Sequence, residues 1–169
     1  MKTKRIVFLG FALCIALVLS YIETLIPFGF GIPGIKLGLA NLIILIILYL
    51  DMPKEAFIVS MARIILVGFM FGSLSSMIYA FAGGTLSFLC MYLLKRFNWF
   101  SPIGVSSLGG IVHNMGQLMV ASFIVKTDIF AFYFPYLLLS GLLTGLLIGV
   151  IGNTIINRYS KYLVNWREA

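Results

Sequence analysis

Ile6-Val7-Phe8-Leu9-Gly10-Phe11-Ala12-Leu13-Cys14-Ile15-Ala16-Leu17-Val18-Leu19-Ser20-Tyr21-Ile22 runs for seventeen residues without a charge. Extended to Ile26, it meets the requirement for a helix across a bilayer, about 20 mostly apolar residues. Pro27, Gly29, Gly31, Pro33 and Gly34 then stop it. The leading Met1-Lys2-Thr3-Lys4-Arg5 also resembles the start of a secretory signal. However, the apolar run exceeds the usual signal length and no clean small-x-small cleavage site follows it. The stretch is therefore a retained first membrane helix.

The rest of the chain repeats that character. Of 169 residues, 62 % belong to the AVILMFWYC set and only 10 % are charged. Soluble domains carry about 25 % charged residues, and a chain this short cannot hide so much apolar surface from water. The net charge of +7 comes from Lys and Arg in ones to threes between apolar runs. Such punctuation sets membrane topology. It is no clustered phosphate-binding patch, so nucleic acid is excluded as a partner. Cys14 and Cys90 lie within apolar runs and read as small buried hydrophobes.

Six spans are expected, at residues 6–26, 35–50, 56–71, 74–94, 103–125 and 129–156, forming one all-α membrane domain over 1–169. The second and third are short and flank the turn Asp51-Met52-Pro53-Lys54-Glu55; residues 157–169 form a polar, amphipathic tail. With the N-terminus in the cytoplasm, nine of the twelve Lys and Arg residues fall inside. Lys36 and Lys126 fall outside, and Arg63 lies within the bilayer. Both termini are thus expected in the cytoplasm of a multi-pass plasma-membrane protein. Tyr92, Trp99, Tyr162 and Trp166 fit an aromatic belt at the inner boundary.

Polar side chains at membrane depth are costly and point to function. Here they are Glu23, Asn41, Arg63, His113, Asn114, Gln117 and Asn153. At 1.5 Å per residue, Asn41 lies roughly 9 Å below the outer end of its span. His113 and Gln117 lie about 15 Å and 21 Å above the inner end of theirs. His113 and Gln117 are four apart and share a helix face, with Asn114 beside them. Either these groups cross-link helices or they read a ligand. Arg63 needs a counter-charge at mid-depth. Glu23 is the one acid within any span and supplies it, or else Arg63 holds an anionic or polar substrate. Lys36 adds a positive charge at the mouth, in the loop Pro27–Lys36 that reads as a lid or as a plain connector. Ala12-x-x-x-Ala16 and Gly141-x-x-x-Gly145-x-x-x-Gly149 mark close helix approaches, within the chain or to a partner.

Several chemistries are missing. There is no phosphate loop, so the chain does not itself hydrolyse ATP. One His and no carboxylate cluster give no metal site, and no cofactor is expected. No catalytic set suggests an enzyme.

Three stretches carry a resemblance: Pro33-Gly34-Ile35-Lys36-Leu37-Gly38-Leu39-Ala40-Asn41, Ala62-Arg63 with Gly68, and Gly109-Gly110-Ile111-Val112-His113-Asn114-Met115-Gly116-Gln117. The chain resembles the heptaprenyl diphosphate synthase component I family, also called the Gx transporter family. More widely it is similar to the S components of energy-coupling factor transporters. That resemblance implies an S-component-like six-helix bundle that captures a small molecule from outside. It also implies a membrane coupling protein and two cytoplasmic ATPases as partners, with Ala12 and Ala16 in the position of a docking motif. The synthase name meets a chemical obstacle. Prenyl diphosphates are held through Mg²⁺ on aspartate-rich motifs, and this chain has only Asp51 and Asp128, in different loops. In a synthase it would be a non-catalytic membrane partner.

Reporter fusions test the topology. A fusion after Ala169 should read cytoplasmic and one within Gly29–Gly34 external; an external C-terminus overturns six spans.

Overall fold

Backbone breakers divide the chain more sharply than hydropathy does. In the computed structural model, which describes residues 2–25, 37–125 and 129–168, six helices follow one another. They are α1 (Lys2–Leu25), α2 (Asn41–Tyr49), α3 (Pro53–Met70), α4 (Leu74–Arg96), α5 (Pro102–Val125) and α6 (Ile129–Glu168). No strand occurs among the described residues.

Three boundaries differ from expectation, each for a local reason. The span expected from residue 35 is helical only from Asn41, because Gly38 takes a left-handed φ of 71° that an α-helix cannot contain. Residues 35 and 36 lie outside the described residues. At nine residues, α2 is about 14 Å long, half the hydrocarbon thickness of a bilayer. The helix expected from residue 56 starts at Pro53, since proline suits the first helical position; Glu55 therefore sits in the first turn of α3 rather than in a loop. Finally, the polar tail does not leave the last helix. α6 continues to Glu168, about 60 Å in all. Between α3 and α4, Ser73 and Ser76 cap each other's backbone N–H at 3.1 and 2.9 Å, which fixes the sharp reversal there.

Ion pairs and rings show which helix ends meet. Arg5 pairs with Glu55. Lys95 Nζ donates to Asp51 Oδ1 at 2.5 Å and to the Leu48 carbonyl at 2.7 Å. These contacts gather the start of α1, the α2–α3 turn and the end of α4 at one end of the bundle. At the other end, the rings of Tyr21 and Phe71 lie 5.1 Å apart.

The centre of the bundle is α2. Beyond Asn41 its sequence is apolar, and a helix of that kind belongs in the core. Ile44, Leu45, Ile47 and Leu48 are each at most 1 % exposed and pack with Ala12, Ala56, Val59, Phe88, Met91 and Val105. The outside reverses the arrangement of a soluble protein. Phe11, Phe69 and Phe123 are exposed, while Ser60, Ser87, Ser106, Ser107 and Asn114 are buried. An apolar exterior of that extent needs lipid. Thr3–Leu25, Leu74–Arg96 and Tyr133–Tyr159 are each long and apolar enough to cross a membrane.

Helices α4, α5 and α6 approach backbone to backbone through glycine. A Cβ on Gly110 would lie 2.3 Å from the Gly141 carbonyl oxygen, and one on Gly116 would lie 2.9 Å from the Gly83 Cα. Gly145 and Gly149 meet Ser106, Ser107 and Ile103 equally closely. The glycine series on α6 thus packs within the chain. Gly10, by contrast, has nothing within 4 Å of such a Cβ. Gly110→Ala should therefore cost about 1–3 kcal/mol through overpacking. Gly10→Ala should leave stability unchanged or slightly raised. Thermal denaturation of both variants in detergent makes the comparison.

Candidate functional site

Because α2 starts late, its first residue faces a space that a full-length helix would fill. Asn41 stands at this N-terminus, and its side-chain Oδ1 accepts a long contact, 3.5 Å, from Arg63 Nη2 on α3. Arg63 Nε is buried and has no hydrogen-bond partner among the described residues. The charge acting on Arg63 is the Glu23 carboxylate. Glu23 is held from α1 by the Gly38 N–H, which donates to its Oε1 at 2.5 Å. The left-handed turn at Gly38 thus does two things: it starts α2 late, and it directs a backbone donor at Glu23.

The opposite wall comes from α5. Gln117 lies against Gly83 of α4, where a Cβ would stand 2.8 Å from Gln117 Cγ and 2.6 Å from the His113 carbonyl oxygen. A bare glycine at 83 is what lets the His113–Gln117 face come this close. Together Glu23, Gly38, Asn41, Arg63, Gly110, His113, Asn114, Gln117 and Thr144 line one cavity of about 50 Å³. A second chamber of about 20 Å³ shares Gly38, Asn41, Gly110 and Thr144 with it. That chamber continues past Ser87 and Ser106 to Met91 and Ile148. Met91 is five residues from the end of α4, so its floor lies roughly 8 Å from the Arg96 end of that helix.

Six of the side chains singled out in the sequence therefore share one cavity: Glu23, Asn41, Arg63, His113, Asn114 and Gln117. They do not all behave alike. Asn114 Nδ2 donates to the Leu137 carbonyl at 2.7 Å and contacts Ser140 Oγ at 3.1 Å, so its amide nitrogen ties α5 to α6. Lys36 and the whole loop Pro27–Lys36 lie outside the described residues. Asn153 does not line the cavity; its Oδ1 accepts from Asn157 Nδ2 at 3.3 Å. Ala12 and Ala16 do not form an open docking face. They are 5 % and 0 % exposed, on the side of α1 turned to α2 and α3, so the chain's own helices occupy the stripe.

Sequence reasoning missed Thr144, Ser87 and Ser106 in the walls. Hydroxyls in apolar helices bond to carbonyls and leave no trace in composition. Thr144 Oγ1 donates to the Ser140 carbonyl at 2.9 Å, and Ser87 Oγ to the Gly109 carbonyl at 2.8 Å. It also missed the Arg5–Glu55 pair, since Glu55 reads as part of a turn.

Apolar helices around a polar interior cavity define a membrane protein of the pocket-bearing helical-bundle class. The chain belongs to the heptaprenyl diphosphate synthase component I family, whose family model matches residues 12–155. No curated protein and no solved structure matches the chain.

The bonding of Asn114 yields a stability test. Asn114→Leu should cost about 0.5–2 kcal/mol, the range for hydrogen bonds between membrane helices. Ser140→Ala should cost less, because the Leu137 carbonyl keeps its bond from Asn114. Equal losses in thermal denaturation would mean that Ser140 is the main partner.

Proposed function

We propose that this protein is a non-catalytic, substrate-capturing component of a membrane importer, taking up a small polar or anionic molecule from outside the cell. One observation carries the reading: amide, imidazole, guanidinium and carboxylate groups from α1, α2, α3 and α5 converge on a single interior cavity. Pairwise helix cross-linking would satisfy such groups in separate contacts. Capture of a small ligand needs them convergent, in a mostly apolar surround. In this reading six helices cross the plasma membrane with both termini in the cytoplasm. The meeting of Arg5, Asp51, Glu55 and Lys95 at one end of the bundle supports that topology. A membrane coupling protein and two cytoplasmic ATPases would supply the energy. Their part rests on the resemblance to S components, and the alanine stripe on α1 adds no support, being covered within the chain.

The second reading takes the family name at its word: a membrane subunit attached to heptaprenyl diphosphate synthesis. In that case, too, the chemistry belongs to another chain. Asp51 is engaged by Lys95, and among the described residues no aspartate lines the cavity.

Native mass spectrometry of protein freshly extracted from membranes separates the two. A released small molecule supports capture; a stably bound prenyl synthase without one supports the synthase subunit. Gln117→Leu should weaken binding of the released molecule by about 1–3 kcal/mol, the cost of a buried hydrogen bond left unmade. Its melting temperature should stay near that of the parent protein, and an unchanged affinity removes Gln117 from the site.

A further inference from the structure

Asn153 is the one polar side chain singled out by its depth that does not line the cavity. It stands on α6 with Asn157 one turn further on, and both fall inside the apolar window Tyr133–Tyr159. Gly152 fixes the depth: a Cβ there would lie 2.6 Å from Leu45 Cδ2. Leu45 comes five residues before Leu50, where α2 meets the charged turn, so Asn153 lies roughly 8 Å inside the charged end of the bundle. An amide turned to lipid near that depth is costly. Asn153 is half-buried, and among the described residues Asn157 is the one amide exposed on a helix. Asn157 Nδ2 donates to Asn153 Oδ1 at 3.3 Å, which uses one of the two hydrogens on that nitrogen.

The same side of α6 has a regular pattern. Tyr136, Leu143 and Val150 precede Asn157 at seven-residue intervals and are 60 %, 57 % and 52 % exposed. Gly141, Gly145 and Gly149 are buried on the opposite side, against α5. Residues seven apart stay on one line where two helices wind around each other with a left-handed twist. Lipid alone satisfies the apolar members, as it does Val7, Phe11 and Val18 on the outward face of α1. It does not satisfy the amides. An amide is donor and acceptor at once, so it pairs with a copy of itself. Copies of one chain enter a membrane in one topology, so their α6 helices lie parallel about a two-fold axis and each residue of the seam meets its own counterpart at the same depth. A partner of different sequence would need an amide of its own at that depth.

We propose that the outward face of α6 is the seam of a homodimer. Tyr136, Leu143 and Val150 pack on their counterparts, and Asn153 and Asn157 hydrogen-bond across it, fixing the register as a seam asparagine does in a coiled coil. Cysteine cross-linking of the full chain in membranes tests the face. A disulfide needs Cα atoms about 4.4–6.8 Å apart. In a background of Cys14→Ser and Cys90→Ser, Leu143→Cys and Val150→Cys should each give at least about fivefold more disulfide dimer than Ile151→Cys. Ile151 is exposed too, but it lies about 100° round the helix from Val150. Equal yields overturn the seam, and so do Val150→Cys links that run to a different protein. The parent chain carries its own control, since Cys14 is exposed on α1; ready cross-linking there moves the contact to α1 and overturns the proposal. Photobleaching counts of the purified protein in lipid vesicles then measure association. The parent should pass from dimer to monomer as it is diluted in lipid. Asn153→Leu combined with Asn157→Leu places side chains suited to lipid at both positions and should move the midpoint at least about fivefold toward higher protein density, the loss of two or more hydrogen bonds between membrane helices. Monomers at every density overturn the dimer, and an unmoved midpoint overturns the role of the amides.

Discussion

A guanidinium cannot be left in hydrocarbon, and the interior of this bundle is organised around that constraint. Arg63 keeps its charge at any accessible pH, so its surroundings must supply acceptors and an opposite charge. They come from two directions. Glu23 provides the carboxylate, and Asn41 provides an amide oxygen because α2 begins there and not a turn and a half earlier. Had α2 continued upward as an ordinary span, apolar side chains would fill the space around Arg63. The truncated helix, the left-handed glycine before it and the cavity are consequences of accommodating one charge.

That constraint also explains how labour is divided among the helices. The three that qualify as membrane spans on composition and length lie within α1, α4 and α6. The remaining three carry Asn41, Arg63 and the His113–Gln117 face. α2 has only nine residues, and α3 bears Lys54, Glu55 and Arg63. These three helices are held by their neighbours: α2 by its packing in the core cluster, α3 by the Arg5–Glu55 pair and α5 by glycine contact with α4 and α6.

Much of this was legible in the sequence, for a simple reason. A charge or amide inside an apolar run stands out, and Arg63, Glu23, Asn41 and the His113–Gln117 turn were visible as misfits before any geometry was known. The number of helices was equally visible, since Gly, Pro and Lys/Arg punctuate the runs. What hydropathy could not register is backbone conformation. Leu37-Gly38-Leu39-Ala40 is as apolar as the helix it precedes, and only the φ of Gly38 separates them. Nor does apolar patterning tell where a membrane helix stops being a helix. Residues beyond 156 lose their hydrophobicity but stay helical through Glu168. The inward direction of Ala12 and Ala16 was equally hidden, because a stripe of small residues fits a neighbouring chain and a neighbouring helix alike.

The glycine seams of α4, α5 and α6 bear on how such a sequence can drift through descent. At Gly83, Gly110, Gly141 and Gly145 the added Cβ has its nearest contact in the backbone of a facing helix, which cannot move aside as a side chain can. Each is fixed by its neighbour, and no single replacement at one of them is repaired by a replacement at another. The outward residues, Phe11, Phe69 and Phe123 among them, are mostly exposed and exchange more freely for other apolar side chains. Over long divergence the lineage should therefore keep a sparse rhythm of glycines while its hydrophobic residues turn over around them. Kinship in such a protein is carried by the places where a side chain is missing.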